Sequence, residues 1–156
     1  MLKTLLLTLL LIIMPSVVNA TNFYLDEYTF SWVVAREGDV KLSVEIANDS
    51  EYLHMISTGI NVGSLRLTAE EAIALGNILT KTRTLADKQR KAGGEQRETI
   101  ENVTFRTSEK YGFSVSVGSG MLSRVSLTKS QAIMFSEKLI QAEKMIAFAK
   151  SQLPFN

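Results

Sequence analysis

Residue types that carry catalysis are scarce in this chain of 156 residues, which has one histidine, His54, and no cysteine. The lack of cysteine excludes thiol nucleophiles, iron–sulfur clusters and cysteine-ligated zinc. With Asp49 or Glu51, His54 has the side chains of a base or a metal ligand, but one imidazole and two loop carboxylates make a poor transition-metal site. Because His54 lies between Leu53 and Met55 in an alternating segment, we expect a solvent-facing strand histidine.

Adjacent carboxylates are the other candidates for catalysis, since paired carboxylates hydrolyse glycosides. Glu70 and Glu71 open a helical segment, where a capping role and the helix dipole account for them. Asp26 and Glu27 lie in the lead-in to the first strand. The sequence therefore predicts a protein that is not an enzyme and has no cofactor or metal. A small carboxylate-dependent enzyme acting on cell-envelope carbohydrate is the alternative.

A basic segment at residues 81–97 is a candidate surface for anionic lipid, polysaccharide or nucleic acid. It contains no aromatic side chain that would stack on bases. A solvated helix end, with positive charge at the negative end of the helix dipole, is the competing interpretation. The candidate binding residues in this segment are Lys81, Arg83, Lys88, Arg90 and Lys91.

Two glycine-containing loops supply two further candidate binding residues, Asn61 between Gly59 and Gly63, and Ser119 beside Gly118. Phosphate-binding loops aim backbone amides and a helix N-terminus at the anion. Both loops here precede short strand-like segments instead. We therefore interpret them as hairpin turns, with ligand contact as the alternative.

Residues 1–20 have the features of a secretory signal peptide. Lys3 gives a positive start, the run from Leu5 to Met14 is apolar except for Thr8, and Ala20 ends a cleavage-site pattern. The apolar run is shorter than the roughly 20 residues that span a bilayer. The sequence predicts cleavage near Ala20 and a periplasmic or secreted protein without a later transmembrane segment.

Composition indicates one globular domain over residues 21–156. The chain has 17 Lys and Arg against 16 Asp and Glu, and removal of Lys3 with the signal peptide leaves 16 against 16. A neutral chain of this kind does not match a globally basic nucleic-acid binder. Without cysteine, the domain must be stabilised by packing alone.

The period of the apolar residues predicts four strands and then a helix in the first half. The strands are expected at residues 28–34, 40–46, 52–57 and 64–67. Thr68 and Glu71 form a capping box, which opens a helix that Gly93 ends. In the second half, strands are expected at 99–107, 111–117 and 124–127, and a capping box at Thr128 and Gln131 opens a helix to about residue 152.

An internal repeat connects the two halves, at about residues 24–92 and 95–153. A shift of 60 residues aligns five identities, at Leu67, Thr68, Ala72, Ile73 and Leu79. Duplication and convergence both explain this alignment. The fold class is therefore α+β, a mostly antiparallel sheet with two long helices in the order β-β-β-β-α-β-β-β-α. The second helix is apolar on more than one side, which favours a central position or a homodimer interface.

Strand runs followed by a long helix, twice over, are similar in architecture to the Whirly and PC4-like single-stranded nucleic-acid modules, a similarity of shape alone. It implies an anion or nucleic-acid binder as a further alternative. The favoured function is non-catalytic binding in the bacterial periplasm, with another protein as the partner. An inhibitor or immunity protein is one concrete form of it.

Overall fold

Two four-stranded antiparallel sheets, each followed by two helices, make up the structure, a computed structural model that describes residues 28–48, 50–59, 62–120 and 122–153. Sheet 1 has the strand order β1-β2-β3-β4 and sheet 2 the order β5-β6-β7-β8. The elements are β1 (Thr29–Glu37), β2 (Val40–Ala47), β3 (Ser50–Ser57), β4 (Gly63–Leu67), α1 (Ala69–Leu79), α2 (Thr82–Ala92), β5 (Gln96–Ile100), β6 (Val103–Ser108), β7 (Gly112–Val117), β8 (Val125–Thr128), α3 (Lys129–Leu139) and α4 (Ala142–Ser151).

The predicted α+β class and the overall order of strand runs and helices are confirmed, with one strand more than expected in the second half. The segment predicted as one strand at 99–107 is a hairpin, in which β5 and β6 are joined at Glu101 and Asn102. Glu101 has a positive φ of 53°. Glycine, asparagine and aspartate are the usual residues at a positive φ, so a glutamate gives no turn signal in the sequence.

Both predicted capping boxes are present. The Glu71 backbone N–H donates to Thr68 Oγ1 at 3.2 Å, and the Thr68 N–H donates to Glu71 Oε2 at 2.8 Å. Thr128 and Gln131 repeat this pair of bonds with the same two distances. Each box satisfies backbone donors that a helix start leaves without partners.

Each long helix that the sequence predicts is two shorter helices. The breaks fall at Thr80–Lys81 and at Ile140–Gln141, again 60 residues apart. At the first break the Lys81 N–H donates to Ile78 O, a bond from residue i to i−3 that tightens the last turn. No glycine or proline marks either break, and the apolar period continues through it, so the pattern predicts one helix.

Because of the breaks, each half places one helix on its own sheet and one on the sheet of the other half. The first helix α1 packs against β3 and β4 of sheet 1, but α2 packs against β5 and β6 of sheet 2. In the second half, α3 packs against β7 and β8, whereas α4 packs against β2 and β3. One core therefore runs through both halves, from Leu42 and Leu53 of sheet 1 to Phe105 and Val115 of sheet 2.

The helices α1 and α3 cross in close contact at Gly76. A Cβ atom at Gly76 would lie 2.9 Å from the backbone nitrogen of Ile140 and 3.1 Å from Leu139 Cβ. Only glycine fits this approach without a shift of one helix. The residue 60 positions later, Ser136, is also small and buried.

The two glycine loops bring the halves together beside the sheets. A Cβ at Gly63 would lie 1.8 Å from Arg124 O, and one at Gly118, where φ is +96°, would lie 1.9 Å from Ser123 O. The Ser64 N–H donates to Leu122 O at 3.0 Å. These glycines therefore have a structural role, because they let the chain before β8 approach β4.

We expect Gly76→Ala to lower the free energy of unfolding by about 1–3 kcal/mol, because a methyl group overpacks the helix crossing. The cost of overpacking must exceed the gain of about 1 kcal/mol in helix stability that alanine gives over glycine. Urea unfolding measures the change. Asn77→Ala, at the exposed neighbouring position, is the control and should leave stability equal or slightly higher. A Gly76→Ala protein as stable as wild type would contradict the close crossing.

Candidate functional site

The polar side chains of both sheets lie on the faces turned away from the helices. On each strand the residues that point to the core alternate with outward-pointing ones. In sheet 1 the outer face carries Ser43, Glu45, Tyr52, His54 and Arg66. The outer face of sheet 2 carries arginines and hydroxyl side chains.

His54 lies on the outer face, as expected, but it is covered and paired. Its Nδ1 is 2.8 Å from Glu45 Oε1, and only 13% of the histidine side chain and 11% of the glutamate side chain are exposed. Glu51, one of the two carboxylates considered beside His54, instead pairs with Lys150 at 2.8 Å; Asp49 lies outside the described residues. Strand register explains the partner, because β2 places Glu45 next to Ser43, the residue directly opposite His54.

Tyr52 and Arg66 complete this group on sheet 1. The Arg66 guanidinium lies 4.9 Å from the centre of the Tyr52 ring, a cation–π contact. Burial raises the pKa of Tyr52 above its usual value of 10, and a hydrogen bond to Glu45 and the charge of that carboxylate raise it further, while Arg66 lowers it. Within the described residues, no three His, Cys, Asp or Glu side chains are grouped as a metal site would require.

The basic residues predicted from the sequence do not form one patch. All five are exposed along α2 or just before it. At about 100° per residue, Arg83 and Arg90 lie on one flank of the helix, and Lys81 and Lys88 lie about 160° away on the other. Acidic neighbours also pair with two of them, since Glu98 is 3.1 Å from Lys88 and Asp87 is 3.6 Å from Arg90.

The other candidate residues predicted from the sequence are not brought together into a site by the described structure. Asn61 lies outside the described residues, as do Asp26 and Glu27, so the carboxylate-dependent enzyme stays a sequence prediction. Ser119 is exposed in the loop after β7. It does not line a described cavity, although its neighbour Gly118 does.

A polar cavity of about 320 Å³ lies on the outer face of sheet 2, and we call it the arginine–hydroxyl cavity. Arg97 of β5 and Arg106 of β6 lie directly opposite each other, and Arg106 lies opposite Ser114 of β7. Arg124, positioned by the close approach at Gly63, enters from just before β8. The lining residues are Glu95, Arg97, Thr104, Arg106, Ser114, Ser116, Gly118 and Arg124.

The charge in this cavity is unbalanced. Three arginines and one glutamate leave a formal charge of +2. Glu95 pairs with Arg106, whereas Arg97 and Arg124 have no acidic partner within 4 Å among the described residues. Like charges directly opposite on neighbouring strands destabilise a sheet. The guanidinium group donates in a planar fork that matches carboxylate and phosphate oxygens, so the cavity is suited to an oxyanion.

Sequence reasoning included Arg97 in the basic segment but missed Arg106 and Arg124. The available signal was the alternation in β6, which places Arg106 on the same face as Thr104 and opposite to Val103 and Phe105. That signal becomes useful only when the hairpin at Glu101 is known, because its register sets Arg97 against Arg106.

We expect Tyr52→Phe to flatten the alkaline loss of stability. A raised pKa means that the folded state holds the phenol proton more tightly than the unfolded chain, so this stabilisation is present below about pH 10 and is lost as pH rises through the folded-state pKa. Urea unfolding from pH 8 to 11.5 measures the slope. Tyr111→Phe, at a tyrosine that is 70% exposed, is the control with the wild-type slope. An unchanged slope in Tyr52→Phe would contradict the contact with Glu45.

Comparison with known proteins adds no functional assignment. No protein-family model matches the chain, and no curated protein sequence is significantly similar to it.

Proposed function

We propose that this protein is a non-catalytic binding protein that takes up an anionic ligand in the arginine–hydroxyl cavity. The observation that carries the proposal is the convergence of Arg97, Arg106 and Arg124 on one cavity with a single carboxylate, Glu95. Sheet folding gains nothing from two arginines opposite each other. A bound anion offsets their repulsion, since charge-assisted hydrogen bonds to guanidinium are about twice as strong as neutral ones.

The proposed location is the periplasm, after export and cleavage near Ala20. The signal-peptide pattern of residues 1–20 supports this, and these residues lie outside the described part of the chain. From residue 28 to residue 153, no described helix has both the length and the apolar character needed to cross a bilayer.

We expect substitution of an arginine in the cavity and substitution of Glu95 to change anion affinity in opposite directions. Arg97→Gln should weaken phosphate or sulfate binding about tenfold, as expected for the loss of one charged hydrogen-bond donor. Glu95→Gln should strengthen it, because it frees Arg106 and removes a negative charge. Isothermal titration calorimetry at low ionic strength measures the dissociation constants, and added sodium chloride should weaken all of them.

Lys91→Gln is the matched control, because it removes an equal charge from the exposed end of α2. It should leave affinity within about twofold of wild type, as expected for a screened surface charge. If Lys91→Gln weakens binding as much as Arg97→Gln, the basic helix and not the cavity binds the anion. If wild type binds neither phosphate nor sulfate, the proposed function is wrong.

A second candidate is association with another protein chain, which an apolar groove beside β1 favours. The groove, of about 300 Å³, is lined by Trp32, Val33, Val44, Lys144, Met145 and Phe148. Phe148 is 63% exposed and Val33 58% exposed. The first strand is an edge strand and has no charged residue before Arg36, whereas edge strands usually carry charges that prevent pairing.

The occupant that we propose for this groove is a second copy of the chain, with β1 paired antiparallel to its own copy and Phe148 packed across the interface. This interface includes α4, which lies in the second helix predicted from the sequence. For that helix the sequence favours a central position or a homodimer interface. An inhibitor or immunity role stays a prediction from export, size and charge.

We expect the protein to be a dimer at about 100 µM, well above the micromolar dissociation constants typical of modest interfaces. Phe148→Glu should make it a monomer, because a charged carboxylate replaces the aromatic ring that packs across the interface. Size-exclusion chromatography with light scattering measures the mass. Leu122→Glu, at a residue that is 74% exposed away from the groove, is the control and should stay dimeric. A monomeric wild type would refute the dimer.

A further inference from the structure

The space between the arginines of the cavity is lined by hydroxyl groups. Arg97 and Arg106 occupy one row across sheet 2, together with Ser114. Arg124 comes directly before β8, whose first residue, Val125, lies opposite Val117, three residues further along β7 than Ser114. At about 3.3 Å per residue, these two rows are about 10 Å apart. Between them lies the row that contains Thr104 and Ser116.

The hydroxyl groups of Ser114 and Ser116 have unused hydrogen-bonding capacity, whereas the hydroxyl of Thr104 has a partner. Thr104 Oγ1 is 3.2 Å from Thr99 Oγ1. No side-chain hydrogen bond joins Ser114 or Ser116 to another described residue, although both are only partly exposed. Each serine hydroxyl is one donor and two acceptors. A ligand with several hydroxyl groups would therefore find matching partners along this row.

The cavity lacks the side chains that would recognise the bases of a nucleic acid or the chains of a lipid. None of its lining side chains is aromatic or aliphatic. Nucleic-acid bases and lipid chains require such surfaces, the first for stacking and the second for burial. A volume of about 320 Å³ lies at the small end of the range for organic ligands. A compact, polar molecule fits these limits.

We propose that the ligand is an acidic saccharide, a sugar ring that carries a carboxylate or a phosphate ester. Its anionic group pairs with Arg97 and Arg106, and its ring hydroxyls bond to Ser114 and Ser116. Arg124 closes the opposite end of the ring or pairs with the next anionic group of a chain. This inference rests on the proposed anion-binding function and adds the chemical class of the ligand.

Calorimetric titration with four small molecules tests the class. Glucuronate is compared with acetate, and glucose 6-phosphate with inorganic phosphate, so that each pair shares an anionic group and differs in the sugar. We expect each sugar acid to bind at least tenfold more tightly than its simple anion. In a Ser114→Ala/Ser116→Ala double variant this ratio should fall towards one. In Ser119→Ala, where the hydroxyl lies outside the cavity, the ratio should stay as in wild type.

Different results separate the two proposals. If the sugar acids bind no more tightly than acetate and phosphate, the saccharide inference is wrong while the anion site stands. If none of the four molecules binds, the anion-binding function itself fails. If the double variant keeps the tenfold ratio with unchanged circular dichroism and melting temperature, the hydroxyl row does not recognise the sugar, which overturns the assignment. A gain from the carboxylate sugar alone would identify a uronic acid as the source of the anionic group, and a gain from the phosphate sugar alone would identify a sugar phosphate.

Discussion

The exchange of helices between the two halves is the constraint on which the rest of the structure depends. Each half covers only part of its own sheet, because α2 packs on sheet 2 and α4 packs on sheet 1. The crossing of α1 and α3 at Gly76 fixes the geometry of both moves. With no disulfide available, this exchange joins two weak layers into one core, and folding must be cooperative across the repeat.

Helices from both halves cover the inner faces of the sheets, whereas the two outer faces differ in their side chains. The repeat is preserved where helices and sheets pack, at the capping boxes, the helix breaks and the small residues Gly76 and Ser136. It is lost on the outer faces, where sheet 1 has the Glu45–His54 pair and sheet 2 has the arginines. Packing therefore constrains the residues of each strand that point to the core. The residues that point outward are available for a different chemistry on each sheet.

Local signals in the sequence predict much of this fold. Capping boxes at Thr68 and Thr128 depend on residues three positions apart, so they can be identified without tertiary structure. The helix breaks cannot, because no glycine or proline marks them and the apolar period continues through them. The site is harder still to predict: Glu45 meets His54, and Arg97 meets Arg106, only through the register of a hairpin, and the hairpin at Glu101 lacks the residues that usually announce a turn.

The comparison of the two outer faces bears on function. On sheet 1, Glu45 contacts His54 and Tyr52, while Arg66 lies on the Tyr52 ring. These groups satisfy one another, which is the arrangement expected of buried polar residues with a structural role. On sheet 2 only Arg106 has an acidic partner among the described residues, and two serine hydroxyls have none of any kind. Arg97 and Arg124 are therefore available for charge-assisted hydrogen bonds to an oxyanion, which the proposed anion-binding function requires.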